Sequence, residues 1–307
     1  MKRIQENRAV SGPVLGLLFI LLFIVSHRAK AQSSPIYDTM QKPLLVLRQF
    51  RFTEGPAVDK AGNIYFTDQP DNAIWKWDTG GKLSLFLTAA GRSNGMFFNK
   101  KGELITCADE HNQLWAITPS GKAHVLLDDF EGHRFNGPND IWIDKNDGMY
   151  FTDPYYQRPY WQRKKPDTLI RGQRLYYLAK GRKKAQLVDS MLVKPNGIVG
   201  NNRVLYVSDM GQQTIFSYAW GPGGKLKNKK AFVKDLADGM TMDERGNLYL
   251  AGNGITIYAP SGEKIGHIDI PEKWTANLCF GGKNRNLLFI TASEGIYVLP
   301  MKVHGLR

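Results

Sequence analysis

Only two cysteines, Cys107 and Cys279, occur in 307 residues. A fold built on a disulfide framework is therefore excluded; the two could pair in an oxidising compartment, although two buried thiols are the commoner state. The six histidines show no paired spacing, so a zinc site of the usual imidazole kind is absent from the pattern. Acidic residues are the minority, 28 against 41 Lys and Arg, giving a formal charge of +13. The basic excess falls in short runs at 163–165, 182–184 and 225–230, which is the pattern of solvated turns and not of a nucleic-acid-binding stripe. Beyond the N-terminal segment there is no long apolar run and no amphipathic helical periodicity, which argues against membrane-spanning helices and against a helical fold. With 42% apolar and 22% charged residues, the composition is that of a globular chain with enough length for a large core.

The N-terminus reads differently from the rest. Lys2, Arg3 and Arg8 precede an apolar run at 14–25, and Ala29-Lys30-Ala31 closes the segment with small residues spaced for signal peptidase. Twelve apolar residues are short for a membrane span, and no cysteine follows them to carry a lipid. The expectation is a signal peptide at 1–31 cleaved after Ala31, an extension at 32–43, and one domain at 44–307 that is exported to a periplasm or beyond. The mature chain has 276 residues; losing five basic residues and one acidic residue leaves it at +9. Export makes nucleic acid a poor partner.

Self-comparison then shows one phrase six times. A polar residue, usually followed by Gly, opens an apolar strand, a turn follows, and a second strand of the type Tyr-Phe-Thr-Asp comes next. The copies begin at Glu54-Gly55, Asn94-Gly95, Asn139-Asp140, Asn196-Gly197, Asp238-Gly239 and Asn277-Leu278, at spacings of 40, 45, 57, 42 and 39 residues. A third strand with large apolar residues follows each copy, and a fourth follows most. Repeats of this length made of four short strands predict an all-β, six-bladed β-propeller with four-stranded blades. The sixth copy lacks chain for its fourth strand, and the run Leu44-Leu45-Val46-Leu47 ahead of the first copy is its expected replacement, closing the ring by an N-terminal strand and protecting edges that would otherwise pair with other chains.

In a propeller the first strands line the central channel, so equivalent positions form a ring. Here that ring is Glu54, Asn94, Asn139, Asn196, Asp238 and Asn277, all with side-chain oxygens. Asn or Asp before Gly also favours turns, but Glu54 is not a turn former. Carboxylate and amide oxygens converging without His or Cys suit a hard cation, Ca2+ before Mg2+ or Zn2+. The stretch Gly91-Arg92-Ser93-Asn94-Gly95 matches the nucleophile-elbow pattern, but it leads into a repeat's inner strand and not a helix, so Ser93 is not expected to be a nucleophile.

The chain resembles the gluconolactonase, regucalcin and luciferin-regenerating enzyme group of calcium-dependent propeller hydrolases, bacterial gluconolactonases above all. The resemblance spans about 52–298 and rests on Glu54-Gly55-Pro56, Asn136-Gly137-Pro138-Asn139-Asp140, Tyr150-Phe151-Thr152-Asp153-Pro154, Pro195-Asn196-Gly197 and Asp238-Gly239-Met240. It implies metal roles for Glu54, Asn196 and Asp238 and a metal or substrate role for Asn139, with Asn136 as an alternative in the same loop. Gly137 departs from the Ser usual in that group. The implied activity is calcium-dependent opening of a sugar lactone, with Asp238 as the base. Asn94, Asn136, Arg134 and Tyr155 are candidate substrate contacts. The long loop at 155–173 carries Tyr155, Tyr156, Tyr160 and Trp161 with Arg158, Arg163, Lys164 and Lys165, a surface suited to stacking on sugar rings and meeting anionic groups, and is expected on the same face as the ring, as a lid or as a polar insertion. An esterase or phosphotriesterase on the same scaffold, or a glycan- or partner-binding propeller with structural calcium, remain the alternatives.

Overall fold

The computed structural model describes residues 1, 35–161, 172–221 and 225–306. The expected signal segment lies outside the described residues apart from Met1, as does 162–171 of the long loop. Six four-stranded antiparallel sheets follow one another along the chain, opening with inner strands Thr53–Val58, Met96–Phe98, Ile141–Ile143, Pro195–Gly200, Met240–Met242 and Thr275–Gly281. They are the blades of a six-bladed β-propeller. The ring closes as the repeats implied: Leu44–Arg48 pairs antiparallel with Gly295–Pro300, setting Leu44 opposite Val298 and Leu45 opposite Tyr297, and completes blade 6. Ahead of that strand Tyr37 bridges Met301, and the Ile36 carbonyl accepts the Lys302 N–H at 2.8 Å.

The second strands, such as Ile64–Asp68, Leu104–Ala108, Met149–Asp153 and Leu248–Gly252, are buried at every position. Each is flanked by sheet on both sides and packed against neighbouring blades on both faces, which is why its sequence opens on consecutive apolar residues and not on an alternation. The core lies between blades: Phe66 of blade 1 meets Phe289 of blade 6 at 5.5 Å, and Phe135 packs edge-on against Phe151 and Tyr176.

The Asp that ends the repeating phrase fastens the chain leading into its own blade. Asp68 accepts the N–H groups of Arg51 and Phe52, Asp153 those of Asn136 and Gly137, and Asp209 those of Val193 and Lys194. Each staple satisfies backbone donors that would otherwise be buried without a partner, and it fixes where the ring residue points. The glycine after the ring residue is equally mechanical. A Cβ on Gly55, which sits at φ +44°, would lie 1.9 Å from the Asn94 carbonyl oxygen, and one on Gly197 would lie 2.4 Å from that of Asp238. Only a bare backbone lets neighbouring inner strands approach this closely.

Two features differ from the sequence reading. Residues Asp129–Phe130 and His133–Arg134 form a separate two-stranded hairpin between blades 2 and 3. The basic run at 225–230 is mostly not a turn: Lys227, Lys229 and Lys230 lie on Leu226–Val233, the outermost strand of blade 4, where charge discourages pairing with another sheet edge. Cys107 and Cys279 are buried free thiols in blades 2 and 6. Among the described residues no helix is long and apolar enough to cross a membrane.

Candidate functional site

The six ring positions come together at the channel end where the inner strands begin. Glu54, Asn94, Asn139, Asn196 and Asn277 are buried, and Asp238 is partly exposed. Neighbouring blades touch directly through these side chains. Asn196 Nδ2 donates to Asp238 Oδ1 at 2.8 Å, and Asn277 Nδ2 donates to Glu54 Oε2 at 3.4 Å. The Gly55 N–H also donates to Glu54 Oε2, leaving Oε1 without a protein partner among the described residues. Asp238 Oδ2 accepts the Trp274 indole N–H at 2.6 Å. Asn139 is held by its backbone, its N–H to Thr152 O and its own carbonyl to the Gly95 N–H, and its side chain has no hydrogen-bond partner among the described residues. Asn94 is likewise anchored through its backbone to Cys107, and its buried Nδ2 has no partner among the described residues.

Burial holds the Glu54 carboxyl well above the ordinary range, and the Asp238 charge pushes it further in the same direction. Asp238 is raised as well, chiefly by burial, against the Trp274 and Asn196 hydrogen bonds and the Arg158 charge. Asp140, which stands where most copies of the phrase have glycine, is pushed up to about 7 by burial, although the N–H groups of Ile198 and Ile141 oppose this. Three carboxyl groups crowd around one axis with no ion-pair partner among the described residues, the Arg158 charge acting on Glu54 and Asp238 only through space.

Among the described residues no cluster of three or more His, Cys, Asp or Glu has metal-holding geometry. The oxygen set that does converge, Glu54 and Asp238 supplemented by amide oxygens, fits a hard divalent cation that completes its shell with water or ligand oxygens. The carboxylates without an ion pair and the orphaned Asn94 amide are observations of this site that such a cation and an oxygen-rich ligand would satisfy.

The loop after Met149–Asp153 crosses this mouth. Tyr156 Oη accepts from Asn196 Nδ2 at 3.0 Å, and Tyr160 Oη donates to Gln69 Oε1 of blade 1 at 2.7 Å, so the described part of the loop reaches from blade 3 to blades 4 and 1. Its Arg158 guanidinium lies 4.9 Å from the Tyr156 ring centre. The adjacent Tyr155 turns elsewhere, donating its hydroxyl to Gln157. Asn136 is tied through Nδ2 to Asp153 and to the Gly172 carbonyl, which places its amide in the staple of blade 3. Arg134 is exposed on the hairpin, opposite Asp129. Ser93 is buried with its hydroxyl donating to Ala90 O and bonded to Thr106, as a structural serine would be. Sequence reasoning reached Tyr156 and Arg158 only as members of the long loop's sugar- and anion-facing surface, and it missed Trp274. The only signal for them is aromatic and basic content in loops whose path across the ring no periodicity encodes.

A cavity of about 460 Å3 opens at the other end of the channel, lined by Met96, Phe98, Trp142, Met242, Phe280 and Leu306 among others. None of the ring residues lines it.

Comparison with known proteins identifies the family and the fold. The chain is 30% identical over 304 residues to a gluconolactonase of Zymomonas mobilis, covering 88% of this chain and 84% of that one. It is 23% identical over 259 residues to regucalcin of Pongo abelii, covering 78% and 83%. A gluconolactonase structure from Xanthomonas campestris superposes with a TM-score of 0.78 at 26% identity, covering 84% of this chain and 89% of that one. The calcium-binding protein regucalcin from Agrobacterium tumefaciens shares the fold, with a TM-score of 0.72 at 15% identity, covering 89% and 96%. Residues 52–294 match the SMP-30/gluconolactonase/LRE-like region, and the chain belongs to that family.

Proposed function

We propose that this protein is an exported, calcium-dependent lactonase that opens a sugar lactone to its hydroxy acid. The observation that carries the reading is the approach of blades 4, 5, 6 and 1 through Asn196–Asp238 and Asn277–Glu54, which points two carboxylates into a mouth overhung by tyrosines. Its family membership and its likeness to the Zymomonas gluconolactonase support the same chemistry.

Glu54, Asn196 and Asp238 would hold the cation, with Asn139 facing the same axis. Calcium, when bound, supplies positive charge opposite the carbonyl oxygen, where negative charge builds as water adds. Asp238 would take the proton of the attacking water while the new C–O bond forms at the carbonyl carbon. As the acyl–oxygen bond breaks, the ring oxygen leaves with the proton returned by Asp238, and one lactone plus one water becomes one hydroxy acid. The Trp274 and Asn196 hydrogen bonds hold the carboxylate in one orientation throughout. Asn94, whose Nδ2 has no partner among the described residues, and Tyr156 would meet substrate hydroxyls; Arg134 and Tyr155 would do so only from the rim. Cleavage after Ala31 and export belong to the same proposal and rest on the N-terminal sequence.

The test is acid release from a panel of sugar lactones and phosphotriesters, before and after chelation and calcium readdition. Calcium-restored hydrolysis of a sugar lactone is expected. Turnover of phosphotriesters alone would move the activity to the esterase class, and no turnover of any member would leave a binding propeller.

A further inference from the structure

Arg158 is a half-buried cation without a hydrogen-bonding partner among the described residues. Its Nε is sealed from solvent and bonds to nothing among the described residues, and no carboxylate there forms an ion pair with its guanidinium. The side chain rests on the Tyr156 ring, whose hydroxyl is bonded to Asn196 of the ring, so its position is tied to the site. Lys194 is a second cation at the same place, with Nζ 4.1 Å from the Tyr156 ring centre and no ion pair among the described residues. Arg92, the other guanidinium at the mouth, is already committed to Glu110 at 3.0 Å and to the Gln69 and Pro70 carbonyls.

Burying a guanidinium without oxygen partners is costly, and contact with an aromatic face offsets only part of that cost. The Asp109, Asp238 and Glu54 charges reach Arg158 through space, but none of them bonds to it. Once a divalent cation neutralises Glu54 and Asp238, Asp109 is the carboxylate whose charge still acts on Arg158 through space, and among the described residues no carboxylate pairs with Arg158 or Lys194. A neutral sugar offers hydroxyls to such a fork, whereas a carboxylate matches it in charge and in planar, two-point geometry.

Resting on the lactonase reading above, the geometry points to Arg158, assisted by Lys194, as the residue that selects the substrate, and to an acidic sugar lactone, one that carries a carboxylate outside its lactone ring, as the substrate class.

The experiment compares kcat and KM for a neutral aldonolactone and for the corresponding lactone with a terminal carboxylate. It uses calcium-loaded full-length mature protein, Arg158→Gln, Arg158→Lys and Lys194→Gln, with thermal unfolding confirming that each variant is folded. The wild type is expected to favour the acidic lactone by about 10-fold or more in kcat/KM. Arg158→Gln should lose about 100-fold on the acidic lactone, mainly through KM, with a loss at least about tenfold smaller on the neutral one. Arg158→Lys should fall between the two because it keeps the charge and loses the fork, and Lys194→Gln should show a smaller loss with the same preference for the acidic lactone. Equal losses on both lactones, or a wild type that prefers the neutral one, would overturn the assignment while leaving the lactonase reading standing. Hydrolysis of neither lactone by the calcium-loaded wild type would remove both.

Discussion

Asn196 of blade 4 donates its side-chain N–H to Asp238 of blade 5 at 2.8 Å, so the two ring residues assigned to the cation are also fastened to each other. The bond fixes which way the Asn196 amide faces: with Nδ2 committed to Asp238 and Tyr156, Oδ1 is the atom left to coordinate. Asp238→Asn keeps the shape and removes the charge. Turnover should fall by about 1,000-fold, the scale of a lost general base, while thermal unfolding stays close to that of the wild type. Unchanged turnover would remove Asp238 from the base role.

Trp274 is the residue at the site that the repeat pattern hides, because it sits on the approach to blade 6 and not in the ring. Its indole N–H stabilises the charged form of Asp238 and so holds down a carboxyl that burial raises. Trp274→Phe removes that donor, and the Asp238 pKa should rise. Since the base works only when ionised, the acid limb of the pH profile of kcat/KM should move to higher pH, with a loss of about 10-fold at the lower end. A profile that does not move would show that the bond does not tune the base.

The Tyr160–Gln69 bond ties the loop of blade 3 to blade 1 across the mouth. Tyr160→Phe should cost about 1 kcal/mol or less in global stability, the usual net value of one such bond, yet loosen the loop locally. Trypsin should then cut within 155–173 faster than in the wild type, with the rest of the chain resisting as before.

Burial pushes the Cys279 thiol up to about 12 and the Cys107 thiol well above its ordinary value. A raised thiol pKa leaves little thiolate at pH 8, and the thiolate is the reacting form. A thiol reagent should therefore find no reactive cysteine in the folded protein at pH 8 and two after denaturation without reductant. A single disulfide, detected by mass, would contradict the structure.

The strand count, ring closure and the ring positions were legible because propeller repeats write similar physical demands blade after blade: buried second strands, an Asp that staples backbone donors in three of the blades, and a glycine where neighbouring strands touch in four. The single-copy features were not. Tyr155 and Tyr156 are adjacent and chemically alike, and only the path of the loop decides that Tyr156 meets Asn196 while Tyr155 turns to Gln157. Asn136 looks as suitable as Asn139 in sequence, but its amide is bound to Asp153 and Gly172, a contact visible only once the blade is assembled. Arg158 and Trp274 reach Asp238 from different blades, so no spacing along the chain relates them.

Calorimetric titration of calcium into chelator-stripped wild-type protein and Glu54→Gln tests the central claim most directly. One calcium per wild-type chain, with affinity reduced by about 100-fold or more in the variant, is the expected result for a cation held by Glu54 and Asp238 together. Equal binding by the two proteins, or none by the wild type, would contradict it.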